Sequence, residues 1–252
     1  MPHTPALTLA RHTARRLALA GGLALAATAS FAFTLPMTPS PIRADLVHTE
    51  AANADKVGQL VALAAIQSDL QLALLFVQES GAPAAAPFLV RPATETWPAI
   101  KDGILAAGGA DLGPLQAAIQ AGSDSAAIHE SYVELSLGMA KTRTALAPST
   151  ADSVAAILAQ TRQVAAGLNP AGPTEAEAFR QSWAMLITTR NQLDLLSRDP
   201  DPAVVAAVGK VAMAMDDMIL SLPYPVSGDP VALDPAQVLD AIKPLETVAG
   251  GV

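Results

Sequence analysis

No cysteine occurs in the 252 residues, so the chain forms no disulfide, no CxxCH haem attachment, no iron–sulfur centre and no zinc ribbon, and it has no thiol nucleophile. Aromatic residues are scarce at 4%, and charged residues reach only 15%. Histidine occurs four times, and two of these, His3 and His12, fall in the first dozen residues. The other two are His48 and His129, preceded three residues earlier by Asp45 and Ala126, so the Glu-x-x-His pair that builds a di-metal site inside a helical bundle is missing. Also missing are G-x-S-x-G, H-E-x-x-H and a Gly-rich phosphate loop between a strand and a helix. These absences leave an enzymatic reading with no nominated catalytic residue. What the sequence does hold is aliphatic: 51% of residues are hydrophobic, which suits a globular chain with a large core.

Charge is unevenly spread. The first 44 residues carry four Arg and no acidic group, so residues 45–252 hold 11 Lys+Arg against 23 Asp+Glu, a net of −12. A body this acidic, without basic clusters interleaved with aromatics, is repelled by phosphate backbones, and nucleic acid is excluded as an expected partner.

Arg11, Arg15 and Arg16 precede an uncharged run from Leu17 to Phe33, and three Pro follow between Pro36 and Pro41. A basic start, an apolar run and the small residues Ser30 and Ala32 are the parts of a secretory signal. Residues 1–32 are therefore expected to be a signal peptide cleaved near Ala32, with 33–46 a Pro-rich linker and the rest periplasmic or secreted. The alternative is an uncleaved anchor over residues 17–35, which would make the chain a subunit of a membrane complex. A helix of 17 residues spans about 26 Å, slightly less than a ~30 Å hydrocarbon core.

Beyond residue 45 the apolar periodicity is helical, with Pro and Gly as punctuation. The spacing of Leu63, Ile66, Leu70, Leu74 and Val77 predicts a helix from Val47 to Ser80, stopped by Gly81-Ala82-Pro83. An Ala/Pro loop (83–93) and two short helices, ending near Ala107 and Ala121, follow. Ile128, Tyr132, Leu135, Met139, Thr142 and Leu146 mark the next long helix, with Lys141 and Arg143 near the negative end of its dipole. Ser149-x-x-Asp152 and Thr174-x-x-Glu177 have the form of capping boxes opening helices over 150–167 and 175–198. Asp201-Pro202 opens a last long helix with the stripe Val204, Val208, Val211, Met215, Met218, Leu222, and a Pro-rich tail (223–252) holds one short helix from Asp234. The expected fold is all-α, an antiparallel bundle of four to five main helices over residues 47–222 with short additional helices.

Local clusters have structural explanations. His129 and Glu134 are five residues apart, about 500° of rotation, and point away from each other. Met215 and Met218 belong to the core stripe and Met213 lies about 160° from Met215, so three sulfurs do not share a face for copper. The loop 83–93 and the segment 223–235 are the expected interaction surfaces, being irregular and carrying Pro, Phe88 and Tyr224.

Three stretches resemble a family of exported bacterial helical proteins related to the periplasmic segment that precedes some iron permeases. The family carries G-H-L in its first long helix, H-P-x-x-E-x-Y after a short loop, and E-Y-x-D-A-Y-G-F entering a later helix. The matching text here is Ser68-Asp69-Leu70, then Arg91-Pro92-Ala93-Thr94-Glu95-Thr96-Trp97, then Ala178-Phe179-Arg180-Gln181-Ser182-Trp183-Ala184-Met185. Asp69 and Arg91 stand at the two His positions, and Ala178 and Gln181 at the acidic pair, leaving Glu95 as the surviving hard-cation ligand. The resemblance, spanning about 60–196, implies a bundle that has kept its scaffold and lost most of its metal chemistry. The first expectation is thus an exported, non-enzymatic accessory or protein-interaction module without a cofactor, its protein partner unidentified and membrane-associated in one version. The alternative is a periplasmic binder of a small ligand or of a divalent or ferric ion, through Glu95, Asp69 and Asp102.

Overall fold

The structure, a computed structural model, describes residues 52–250; the expected signal peptide, linker and 17–35 anchor, and His48, lie outside the described residues. Five long helices carry the fold: α1 (Ala54–Ser80), α5 (Ser125–Leu146), α6 (Thr150–Ala166), α7 (Ala176–Leu196) and α8 (Pro202–Ser221). Between α1 and α5 lie α2 (Ala82–Ala85), α3 (Trp97–Ala106) and α4 (Gly113–Gln120), and the chain ends in α9 (Pro235–Ala241) and α10 (Lys243–Gly250). The fold is all-α. Among the described residues there is no strand, only an isolated bridge between Thr174 and Val231.

Helix α1 is the element both halves share. One hydrophobic cluster joins its Leu63, Ile66 and Leu70 to side chains of α2 to α5, and a second takes its Ala64 with α6 to α10. Leu70 and Leu72 point to opposite sides of the helix, and both are fully buried. A helix covered on two sides has no use for a polar face, which is why its sequence is apolar nearly all round rather than along the single stripe expected. By length and composition alone α1 could cross a membrane, but 67% of that apolar window is buried inside the protein.

Local signals set most boundaries. Asn53 accepts from the N–H groups of Asp55 and Lys56, so α1 begins at Ala54 and not at Val47. Asp124, Asp201 and Asp234 cap α5, α8 and α9 in the same way, and Ser149 with Asp152 forms a complete capping box on α6. The second expected box does not form. Thr174 hydrogen-bonds through its backbone to Val231 at 2.8 and 2.9 Å, and its hydroxyl accepts from the N–H of Asn169, so neither is available to open α7.

Two segments differ from expectation. The stretch 83–93 is helical: α2 is followed by a 3-10 helix (Ala86–Leu89) and a π-helix (Pro92–Thr96). Each of these short pieces has Pro in its first turn, where proline's fixed φ suits helix initiation but its ring prevents continuation of the previous one. The tail holds two helices, not one, because Pro244 sits in the first turn of α10 and restarts the helix after Ile242. Val231, Leu233, Val238, Ile242 and Leu245 all enter the core built by α6, α7 and α8, so the tail is part of the bundle.

Docking of these segments half-buries Phe88 and Tyr224, while Pro83, Pro87, Val90, Pro223 and residues 227–230 stay exposed. Phe88 packs on Phe76 with ring centroids 4.5 Å apart. Pro225 is buried and its carbonyl accepts from Arg180 Nε at 2.9 Å, while the Arg180 guanidinium lies 5.2 Å from the Phe76 ring centroid.

Candidate functional site

Asp69 lies midway along α1, 3% exposed among leucines. A carboxylate buried this deeply requires a partner, and Arg91, on the turn just before the π-helix, supplies one. Its Nε donates to Asp69 Oδ2 at 3.0 Å and its Nη2 to Oδ1 at 2.5 Å, the two-pronged geometry a guanidinium makes with a carboxylate. The Arg91 side chain remains 33% exposed, so the pair has one buried and one solvent-facing member. Burial pushes the Asp69 carboxyl above its ordinary range, Arg91 opposes this through its hydrogen bonds and charge, and Glu95 adds to the rise through its negative charge.

Of the three expected ligands, the structure thus brings Asp69 and Glu95 within electrostatic reach and joins to them a cation. Glu95 is exposed on the π-helix. Asp102 is exposed on α3 and is not among the charges acting on Asp69. Among the described residues no three His, Asp or Glu side chains are grouped to hold a metal ion. Both Asp69 oxygens face the Arg91 guanidinium, and a cation placed there would meet a fixed positive charge.

Next to Asp69 on α1 begins a polar seam that the sequence reading missed. Ser68 Oγ lies 3.0 Å from Thr188 Oγ1, which donates to Gln71 Oε1 at 3.1 Å. Deeper between α6 and α7, Gln160 Nε2 donates to Gln192 Oε1 at 3.1 Å, and Thr189 Oγ1 lies 3.2 Å from Gln160 Oε1. Thr188, Thr189 and Gln160 have no exposed surface. Pairs at 68↔188 and 76↔180 run α7 antiparallel to α1, and pairs at 160↔192 and 164↔182 run it antiparallel to α6, so the seam helps to set helix register. The available signal was polar residues at helical spacing on a buried face, Ser182, Thr188, Thr189 and Gln192.

At the other end of the bundle Asp152 accepts from the N–H groups of Asn53 at 2.6 Å and Ser149 at 2.9 Å, tying the start of α1 to the start of α6. Burial raises its pKa, but these two N–H groups, the Ser149 hydroxyl and the Lys56 charge outweigh it and hold the carboxyl below its usual range. His129 is exposed, its ring 6.3 Å from that of Tyr132. Met215 is fully buried and Met213 is 67% exposed on the opposite side of α8. The depression lined by Ala86, Leu89, Val90, Gln116, Ile119 and Gln120 measures about 60 Å³, room for about two waters and far below the several hundred Å³ of a ligand pocket.

No protein-family model matches the chain, and no curated protein and no solved structure does.

Proposed function

We propose that this chain is an exported, non-enzymatic helical bundle acting as an accessory or protein-interaction module. The observation that carries the reading is the Asp69–Arg91 pair, since the most deeply buried part of the expected ligand set is spent on tying the 82–96 segment to α1. The seam and Asp152 extend the same pattern: buried polar groups hold helices to one another. Crosslinking in cells followed by affinity purification of the native protein from envelope fractions tests the reading. A reproducible protein partner is expected, and recovery only as an isolated monomer after crosslinking counts against it. N-terminal sequencing of the same material is expected to show cleavage near Ala32. A chain still beginning at its first residues and extracted only by detergent would make 17–35 an anchor and the protein a membrane-complex subunit.

One observation favours the alternative of a metal or small-ligand binder, the reach of Glu95's charge to Asp69. Elemental analysis of protein purified without chelator, repeated on Glu95→Ala, decides it. Stoichiometric metal lost on that substitution supports the alternative, and substoichiometric metal or indifference to Glu95 removes it.

A further inference from the structure

The outer face of α5 carries a second stripe that nothing among the described residues covers. Ala126, Glu130, Val133, Leu137, Ala140 and Thr144 follow one another at alternating spacings of four and three, and all six are exposed. The core stripe of the same helix, Ile128, Tyr132, Leu135, Met139 and Thr142, lies on the opposite side. Val133 and Leu137 remain 38% and 47% exposed at the middle of the outer stripe. Alternation at four and three is the spacing by which one helix seats against another along its length.

Charge along one edge of this stripe says which helix it fits. Glu130, Glu134 and Lys141 fall within about 40° of one another around the axis, with both acids in the N-terminal half and the base in the C-terminal half. Glu130 and Glu134 are like charges one turn apart, a repulsive arrangement, and among the described residues neither has an ion-pair partner. Among the described residues Lys141 makes only a long 3.4 Å contact to the Gly108 carbonyl. A helix acidic at one end of an edge and basic at the other complements itself when turned end for end.

We propose that the protein docks with a second copy of itself through α5, antiparallel, about a two-fold axis passing near Leu137. Leu137 then meets its symmetry mate, Val133 and Ala140 interleave on either side, and each Lys141 comes beside Glu134 of the other copy. Such an isologous contact closes on itself and stops at a dimer. The proposal rests on the interaction-module reading and names the partner surface it uses.

The chain's lack of cysteine makes the test direct, because a single introduced thiol can form a disulfide only between copies. Under mild oxidation Leu137→Cys is expected to become a linked dimer, while Met213→Cys, at a 67% exposed position on α8, stays monomeric. Sedimentation of the unaltered protein is expected to show a dimer that weakens with salt and is lost in Leu137→Glu. Glu134→Lys and Lys141→Glu should each weaken association by about tenfold, having two symmetric pairs to break, and the double exchange should restore it. A monomer at up to about 100 μM, a concentration that populates even weak dimers, overturns the proposal. Equal crosslinking of both cysteine variants, no recovery in the double exchange, or a different protein held through Leu137 while the purified chain is monomeric does so as well. None of these results bears on whether another surface binds a partner, which the envelope crosslinking reads separately.

Discussion

Gly138 of α5 and Gly109, in the turn after α3, face each other so closely that a Cβ on either would lie 2.6 Å from the Cα of the other. Backbone meets backbone there, with Ile104 closing the side at 3.3 Å from a Cβ on Gly138, so no flexible side chain can yield.

Gly138→Ala should therefore lower stability by about 1–3 kcal/mol, overpacking outweighing the ~1 kcal/mol that Ala gains over Gly in a helix. Gly209→Ala, on the exposed side of α8 with nothing within 4 Å of its Cβ, should raise stability by up to about 1 kcal/mol. Urea midpoints of the two variants, compared at equal m-value, check both signs.

Arg91→Met should cost about 3 kcal/mol, the lower end for removing one member of a buried pair, because Arg91 is one-third exposed. Asp69→Leu together with Arg91→Met should recover most of that loss, since the cost comes from an unpaired buried carboxylate. A double-mutant cycle in denaturant measures the coupling.

The pH dependence of the Asp69 contribution runs opposite to that of an ordinary salt-bridged acid. With its carboxyl raised in the folded state, the folded protein binds more protons than the unfolded chain between the usual Asp value and the raised one. Stability from this group therefore falls as pH rises through that window, and Asp69→Asn should remove the slope. Unfolding midpoints from about pH 4 to pH 7, wild type against variant, test the sign.

Asp152 behaves conversely. Its carboxyl is held below the usual range, so its contribution is present above the ordinary Asp value and lost as pH falls through the lowered one. Asp152→Ala should cost about 1–2 kcal/mol near neutral pH, the range for losing a cap. Glu177→Ala, at the box that does not form, should stay within about 0.5 kcal/mol of wild type, both variants being read by the shift in the urea midpoint.

Ala147 ends α5 at φ 43° and ψ 60°, a left-handed conformation in a residue with a Cβ. Ala147→Gly should raise stability by about 1 kcal/mol by relieving that contact, measured by the shift in the urea midpoint.

The sequence by itself determined the helices and most of their ends, because these depend on atoms a few residues apart. Asp124, Ser149 and Asp201 reach only to the next two or three N–H groups, and an apolar residue every three or four positions makes a buried stripe whatever it packs against. It also put forward Asp69 and Glu95 as candidate ligands. Tertiary structure alone decided what those groups became. Thr174 has the local form of a cap, yet Val231, fifty-seven residues away, takes its backbone, and no periodicity encodes that competition. Arg91 meets Asp69 only because proline after proline folds 82–96 into short helical pieces that lie back along α1. The all-round apolar surface of α1 likewise acquires meaning only when helices arrive on both sides, since burial is a property of what surrounds a residue and not of the residue itself.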